Sequence, residues 1–407
     1  RRREDCMMRK TAPQQHSGFA ALVLMYFTTF AGEGLLVMYL FNNVRVNGLD
    51  IGVSAMFSLV SYVPSLFLIG VATTTHSRFP VRARLRVIAI ARAMACVALV
   101  VSGAYMSIWV AVLFILVMEM LWYALMPCFD ELENATIHGI GTGRGEAILT
   151  ITLQAAMSAA LLTGGLLFDL FGAPVVLASL AALQLVPVIA CPSEPPATAP
   201  QKDAAPTSEP ASPATAPSLV PLLVVLGVAS AIPQLANILF PVKTFTLTEL
   251  STVAGGIDAA YSIGALAIAL IGLSTVVHRL GTPRTAGVFT MLTASGALTV
   301  FAVSSSPLVL AGAYLCLGFV TTLCRVRIRA ETFSRLKGAG SGPWYSRITN
   351  TTLACCTTGA VVLGITGYLT DVTWCYAVIV AVAIAGAIAS ALIRSPAQPP
   401  ATAKDAS

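Results

Sequence analysis

The sequence predicts an all-α polytopic membrane protein, with twelve transmembrane helices arranged as two pseudo-symmetric six-helix bundles. Three observations carry that expectation. Apolar blocks long enough to cross a bilayer dominate the chain, a single polar stretch divides them six and six, and the two halves repeat one another.

Of 407 residues, 57% are hydrophobic and 10% charged, where soluble domains carry about 25% charged residues. The mean hydropathy of +0.83 agrees. The blocks lie close to the roughly 20 residues needed to span a hydrocarbon core. In that solvent each backbone N–H and C=O must be bonded within its own segment, so the blocks are expected to be helices. The alternation of an outer-membrane barrel strand is absent.

In chain order the expected spans are 18–42, 50–73, 87–105, 107–128, 147–168, 173–191, 219–245, 253–276, 285–304, 307–327, 346–369 and 373–393. Between the sixth and seventh runs PSEPPATAPQKDAAPTSEPASPATAPS, from Pro192 to Ser218. It is rich in Pro, Ala, Ser and Thr, has no apolar periodicity, and reads as a flexible linker. The expected organisation is therefore a tail (1–17), a bundle (18–191), the linker (192–218), a second bundle (219–393) and a tail (394–407).

Orientation follows from Lys and Arg, which accumulate on the cytoplasmic side. With the N-terminus inside, 21 of the 24 fall on cytoplasmic segments, leaving Arg45, Lys243 and the intramembrane Arg92. Both termini and the linker are expected in the cytoplasm, in a bacterial inner (plasma) membrane. The sequons Asn134-Ala-Thr136 and Asn350-Thr-Thr352 then fall in a cytoplasmic loop and inside a span, and read as chance matches. The first apolar block is too long for a cleavable signal peptide.

The net charge of +6 does not indicate nucleic acid, because the charges sit in short loops rather than on one face. The nine cysteines show no metal-ligand spacing and read as packed thiols. There is no G-x-x-x-x-G-K-[ST] nucleotide loop. His16, His76, His138 and His278 all lie in tail or loops, so no Ser–His or metal dyad can be placed within a span and an enzyme is not expected. The lipid bilayer and a small-molecule substrate are the expected partners, with no nucleic acid and no cofactor, and the chain is expected to be a monomer.

The repeat has four matching points in the same order. Leu68-Ile69-Gly70 followed by His76 corresponds to Leu270-Ile271-Gly272 followed by His278. Gly139-x-Gly141-x-Gly143 corresponds to Gly338-x-Gly340-x-Gly342, and Asp169 to Asp371. Without a preceding strand, the glycine loops read as flexible joints rather than phosphate cradles.

On these features the chain resembles the major facilitator superfamily. The resemblance rests on the length, the two sets of six spans, the linker and the basic loops 2–3 and 8–9. The superfamily's G-x-x-x-D-R-x-G-R-R motif is approximated by Ser274-Thr-Val-Val-His278-Arg279-Leu-Gly281-Thr-Pro-Arg284. A more degenerate copy runs from Ala72 through His76 and Arg78 to Arg84. The resemblance implies gating roles for His76, Arg78, His278 and Arg279, with a titratable histidine where the family has Asp.

It also implies that spans one, four, seven and ten line a central cavity. An ionisable residue at membrane depth costs at least about 2.5–3.5 kcal/mol, which makes each one a functional candidate. Glu33 and Glu119 lie near the middle of spans one and four and are the candidate proton-coupling groups. A carboxyl in a low-dielectric cavity is held towards its protonated form, and either a proton or a cationic substrate can neutralise it. Candidate substrate-binding residues are Tyr26 and Thr29 on the face of Glu33, Trp122 and Tyr123 one turn beyond Glu119, and Gln234 and Asn237. Span ten adds Tyr314, Thr321 and Arg325 on a stripe with Gly318. Asp258 is expected to act in gating or helix capping, Arg347 at an inner gate or the membrane edge, and Asp169 and Asp371 as caps. Arg92 is expected to snorkel to the cytoplasmic surface.

The expected function is secondary active transport of a small organic solute by alternating access, driven by protons as symport or antiport. Export of a drug-like or metabolite cargo is an alternative, although the Gly-Pro pattern of many family exporters is absent from span five. A sensor or lipid-handling protein that has kept the fold is a second alternative.

Overall fold

The computed structural model describes residues 2–74, 80–137, 142–191, 220–272, 282–335 and 341–393. It contains twelve helices: α1 (Arg2–Val46), α2 (Ile51–Thr74), α3 (Val81–Ser102), α4 (Ile108–Ile137), α5 (Thr142–Phe171) and α6 (Ala173–Ala190), then α7 (Val220–Phe245), α8 (Ser251–Gly272), α9 (Pro283–Val303), α10 (Pro307–Arg335), α11 (Ser341–Leu369) and α12 (Val372–Ala391). Eleven are long and apolar enough to cross a membrane; in α2 the apolar stretch runs Ile51–Pro64. The chain is an integral, multi-pass membrane protein. The expected linker lies outside the described residues.

Several helices outrun their expected spans. α1 begins at Arg2 rather than at 18, and α4 and α10 reach Ile137 and Arg335 rather than 128 and 327. Apolarity marks the part of a helix that meets hydrocarbon, and backbone bonding continues past it into polar residues. α3 likewise starts at Val81, which moves Arg82, Arg84 and Arg86 from the expected loop onto its first turns. There Arg84 pairs with Glu131 of α4 at 2.5 Å, while Arg82 and Arg86 donate to the Cys191 and Val188 carbonyls.

The two halves are built alike. α1 packs on α4, α5 and α6, and α3 on α4 and α6, while α7 packs on α10, α11 and α12, and α9 on α10 and α12. Between halves, α5 meets α8 and α2 meets α11, again as a related pair. The outside of the bundle is apolar, with Val101, Trp109, Ile189 and Leu308 exposed, while Arg92 and Asp258 are buried. That is the reverse of a water-soluble domain, and it follows when hydrocarbon is the solvent.

Close approaches between halves gather at the end of the bundle that carries the odd-numbered loops. A Cβ on Gly255 would collide with the Leu161 carbonyl oxygen, and one on Gly165 with that of Ser251. Small residues let membrane helices approach backbone to backbone. Polar bonds then secure the junction. Asp169 accepts the Ser251 and Thr252 amides at 2.9 and 2.7 Å and the Thr252 hydroxyl at 2.6 Å. Ser251 donates its hydroxyl to Asn42 at 2.7 Å, and Arg45 donates to the Glu249 carbonyl while lying over the Phe168 and Phe245 rings.

Candidate functional site

Glu33 and Glu119 stand near the middle of the membrane-crossing parts of α1 (Gly18–Val46) and α4 (Ile108–Glu133), where hydrocarbon on the outer face leaves the bundle interior as the polar surroundings. Arg92 of α3 reaches the same region. It is fully buried, donates from Nη2 to Glu33 Oε1, and lies with its guanidinium carbon 5.2 Å from the centre of the Trp122 ring. Trp122 in turn meets Phe30 edge to face at 5.4 Å. The expectation that Arg92 snorkels to the surface is corrected by this contact. An ion pair and an aromatic face inside the bundle replace the hydration it would have found at the membrane edge. Arg92 Nε and Nη1 have no protein acceptor among the described residues.

Glu119 occupies the wall of a cavity of about 140 Å³ between the halves. Ser54, Ser58, Ser61 and Tyr62 of α2 and Gln234 and Asn237 of α7 share that wall, with Phe41 and Phe57 as its apolar surfaces. Tyr62 donates to Gln234 Oε1 at 3.2 Å, a bond that joins the two halves across the cavity. Ser61 stands within hydrogen-bonding reach of Glu119, and Glu33 and Arg92 are near enough to act on it electrostatically. The region therefore holds two carboxyl groups and one guanidinium, beside a row of neutral donors and acceptors.

The remaining expected site residues divide clearly. Gln234 and Asn237 join Glu119 at the cavity, and Trp122 is drawn in as the platform beneath Arg92. Tyr123 lies near Tyr62 on the α4 side. Tyr26 donates to Glu133 at 2.7 Å, towards the end of α4, and Thr29 is fully buried. The α10 stripe is placed elsewhere. Gly318 sits against the Tyr261 carbonyl, Thr321 bonds the Tyr261 hydroxyl at 3.1 Å, and Tyr314 is packed with Phe240 and Phe301. These residues form the seam between α8 and α10 rather than the wall containing Glu119, and Arg325 is exposed beyond the seam. A small or polar residue every three or four positions suits a tight helix contact as well as a cavity lining.

Asp258 is not a helix cap. It lies inside α8 and is buried, and the N-terminus of α8 is capped instead by Asp169. Asp371 does cap its own α12, accepting the Thr373 and Trp374 amides at 2.9 and 3.2 Å. His76, Arg78, His278 and Arg279 lie outside the described residues, as does the side chain of Arg347. The α2 residues are the functional candidates that sequence reasoning missed. Ser54, Ser58, Ser61 and Tyr62 follow helical spacing, a signal present in the sequence.

No protein-family model and no curated protein matches the chain. Solved structures do. The nucleoside transporter NupG is matched at a TM-score of 0.68 with 12% identity, over 92% of this chain and 98% of that one. A point mutant of the same transporter is matched at 0.66 with the same identity and coverage. The chain has the major facilitator fold. Likeness at this identity concerns the path of the backbone, and both matched structures are transporters rather than enzymes.

Proposed function

We propose that the protein is a secondary active transporter that carries a small organic solute by alternating access and couples its movement to protons through Glu119 and the Glu33–Arg92 pair. The observation that carries this reading is the position of Glu119, in a cavity walled from both halves and backed by a buried ion pair. The cluster holds one guanidinium and two carboxyl groups, so with both carboxylates ionised it has one surplus negative charge. Surplus charge is costly at membrane depth. A proton removes it, and so does a cationic solute, which gives one site two competing occupants. A neutral solute would instead travel with the proton.

The serine, tyrosine and amide groups around Glu119 favour a neutral or cationic solute rich in hydrogen-bonding groups. Nucleosides enter as the first compounds to try, because the matched structures are nucleoside transporters. Under the Lys and Arg bias, the even-numbered loops face the cytoplasm. The tight odd-loop junction is then the outer gate, closed in this structure.

The test uses purified protein in liposomes containing a pH-sensitive dye, screened against nucleosides and against pooled cationic, neutral and anionic metabolites. Solute-dependent proton movement supports the proposal, and its sign separates symport from antiport. Solute uptake without proton movement refutes the coupling, and no response to any pool refutes the proposal in favour of a non-transporting protein with this fold.

A further inference from the structure

Asp258 is a buried carboxyl group that the site around Glu119 does not use. It is 5% exposed, and it makes no hydrogen bond or ion pair among the described residues. Tyr261 and Tyr376 lie with Asp258 around Tyr314. Tyr314 and Tyr376 are fully buried, and neither hydroxyl has a protein partner among the described residues.

The charged groups on neighbouring helices are committed elsewhere. Asp169 of α5 holds the α8 amides, Arg45 of α1 holds the Glu249 carbonyl, and Lys243 of α7 donates to the Ala302 carbonyl at 2.8 Å. Glu33 of α1 is paired with Arg92, Arg325 of α10 is exposed, and Arg327 and Glu331 lie further along α10 with interactions of their own. Among the described residues, therefore, no cation faces Asp258 from the helices packed against it. The rings beside it are closely set, with Tyr314 at 4.6 Å from Phe301, 5.0 Å from Phe240 and 6.4 Å from Tyr261. That packing suits a proton, which needs no room, better than a solute or a hydrated ion.

An ionised carboxylate without a partner is too costly to keep buried, whereas the neutral acid can be accommodated. Its position relates this chemistry to the junction between halves, since Asp258 lies one helical turn after Gly255, which is pressed against α5. Separating α5 from α8 would remove the cover from that side of α8 and admit water. We propose that Asp258 is a proton-binding site of the second half, occupied while the odd-loop face is closed and emptied as that face opens. On opening, the carboxyl O–H bond breaks, the proton passes to entering water, and the carboxylate left behind is hydrated. On closing, the same steps run backwards.

This inference rests on the alternating-access reading, but its test requires neither solute nor proton gradient. Spin labels are placed at Phe171→Cys and Leu308→Cys, exposed positions on opposite halves at the odd-loop end, in protein whose reactive native cysteines are replaced by Ser. Pulsed dipolar spectroscopy is recorded in lipid nanodiscs at acidic and alkaline pH. The wild-type protein should shift from a short to a long distance as pH rises. Asp258→Asn should hold the short distance at both, and Asp258→Glu should recover the shift, which separates loss of the proton site from misfolding. A wild-type shift surviving in Asp258→Asn, or no shift in the wild type, overturns the inference. A failed flux screen with the label response intact would instead count against the transport reading alone.

Discussion

Asp169, at the end of α5, accepts both the backbone amide and the hydroxyl of Thr252 at the start of α8. One carboxylate from the first half thus caps a helix of the second. Its repeat partner Asp371 caps the next helix of its own half. Two residues equivalent by sequence have taken different tasks, and the task of Asp169 exists only while the halves are closed at this end.

Asp169→Ala should therefore loosen the junction more than the fold. Loss of a helix cap costs about 1 kcal/mol, a shift of roughly fivefold in a two-state equilibrium. The expected result is a several-fold faster reaction of a cysteine placed in the central cavity, probed from the odd-loop side, with little change in thermal unfolding. An unchanged reaction rate would remove Asp169 from the gate.

The glycine contacts separate gating from folding in a second way. Gly318 lies within one half, where a Cβ would collide with the Tyr261 carbonyl oxygen, whereas Gly255 lies between halves. Gly318→Val should lower the yield of folded protein and its thermal midpoint. Gly255→Val should leave a folded protein that cannot close fully, visible as a long distance between odd-loop labels. Equal loss of folding in both would contradict the division.

The Glu33–Arg92 pair should be costly to break and cheaper to remove together. Taking one partner leaves a buried charge uncompensated, at a cost of about 3–5 kcal/mol. Arg92→Met and Glu33→Leu should each lower stability markedly, and the double variant should recover much of the loss in detergent unfolding experiments. Costs that simply add would show that the two side chains do not interact.

Tyr62 and Gln234 should matter for affinity, because they meet across the cavity without carrying charge. Tyr62→Phe and Gln234→Leu should raise the KM for the transported solute about tenfold, the scale of one lost hydrogen bond with its partner left unpaired. The proton-to-solute ratio should stay as in the wild type. A changed ratio would assign them to coupling.

Much of the fold is legible in the sequence because a bilayer imposes simple rules on it. Long apolar blocks and the paired marks from Leu68 to Asp371 announce the helices and their repetition. The site is legible in part. Glu119 stands out because charge at membrane depth is rare, and Gln234 and Asn237 stand out as polar residues within an apolar span. The placement of Arg92 is not legible, because its partner is 59 residues distant and on another helix, which no helical periodicity reveals. The α10 stripe is ambiguous in sequence because polar and small residues at helical spacing serve both seams and cavities. The α2 serines carry no charge and lie on a helix that the family resemblance does not assign to the cavity, so their helical spacing alone does not lift them above ordinary packing residues.

The most direct test of the account compares the wild type with Glu119→Gln in liposomes, using a solute identified by the flux screen. Two processes are measured: proton movement driven by a solute gradient, and exchange of labelled for unlabelled solute, which requires no net proton movement. The account predicts that Glu119→Gln loses the first and retains the second. Proton movement at the wild-type rate in Glu119→Gln would contradict the central role given to this carboxyl group.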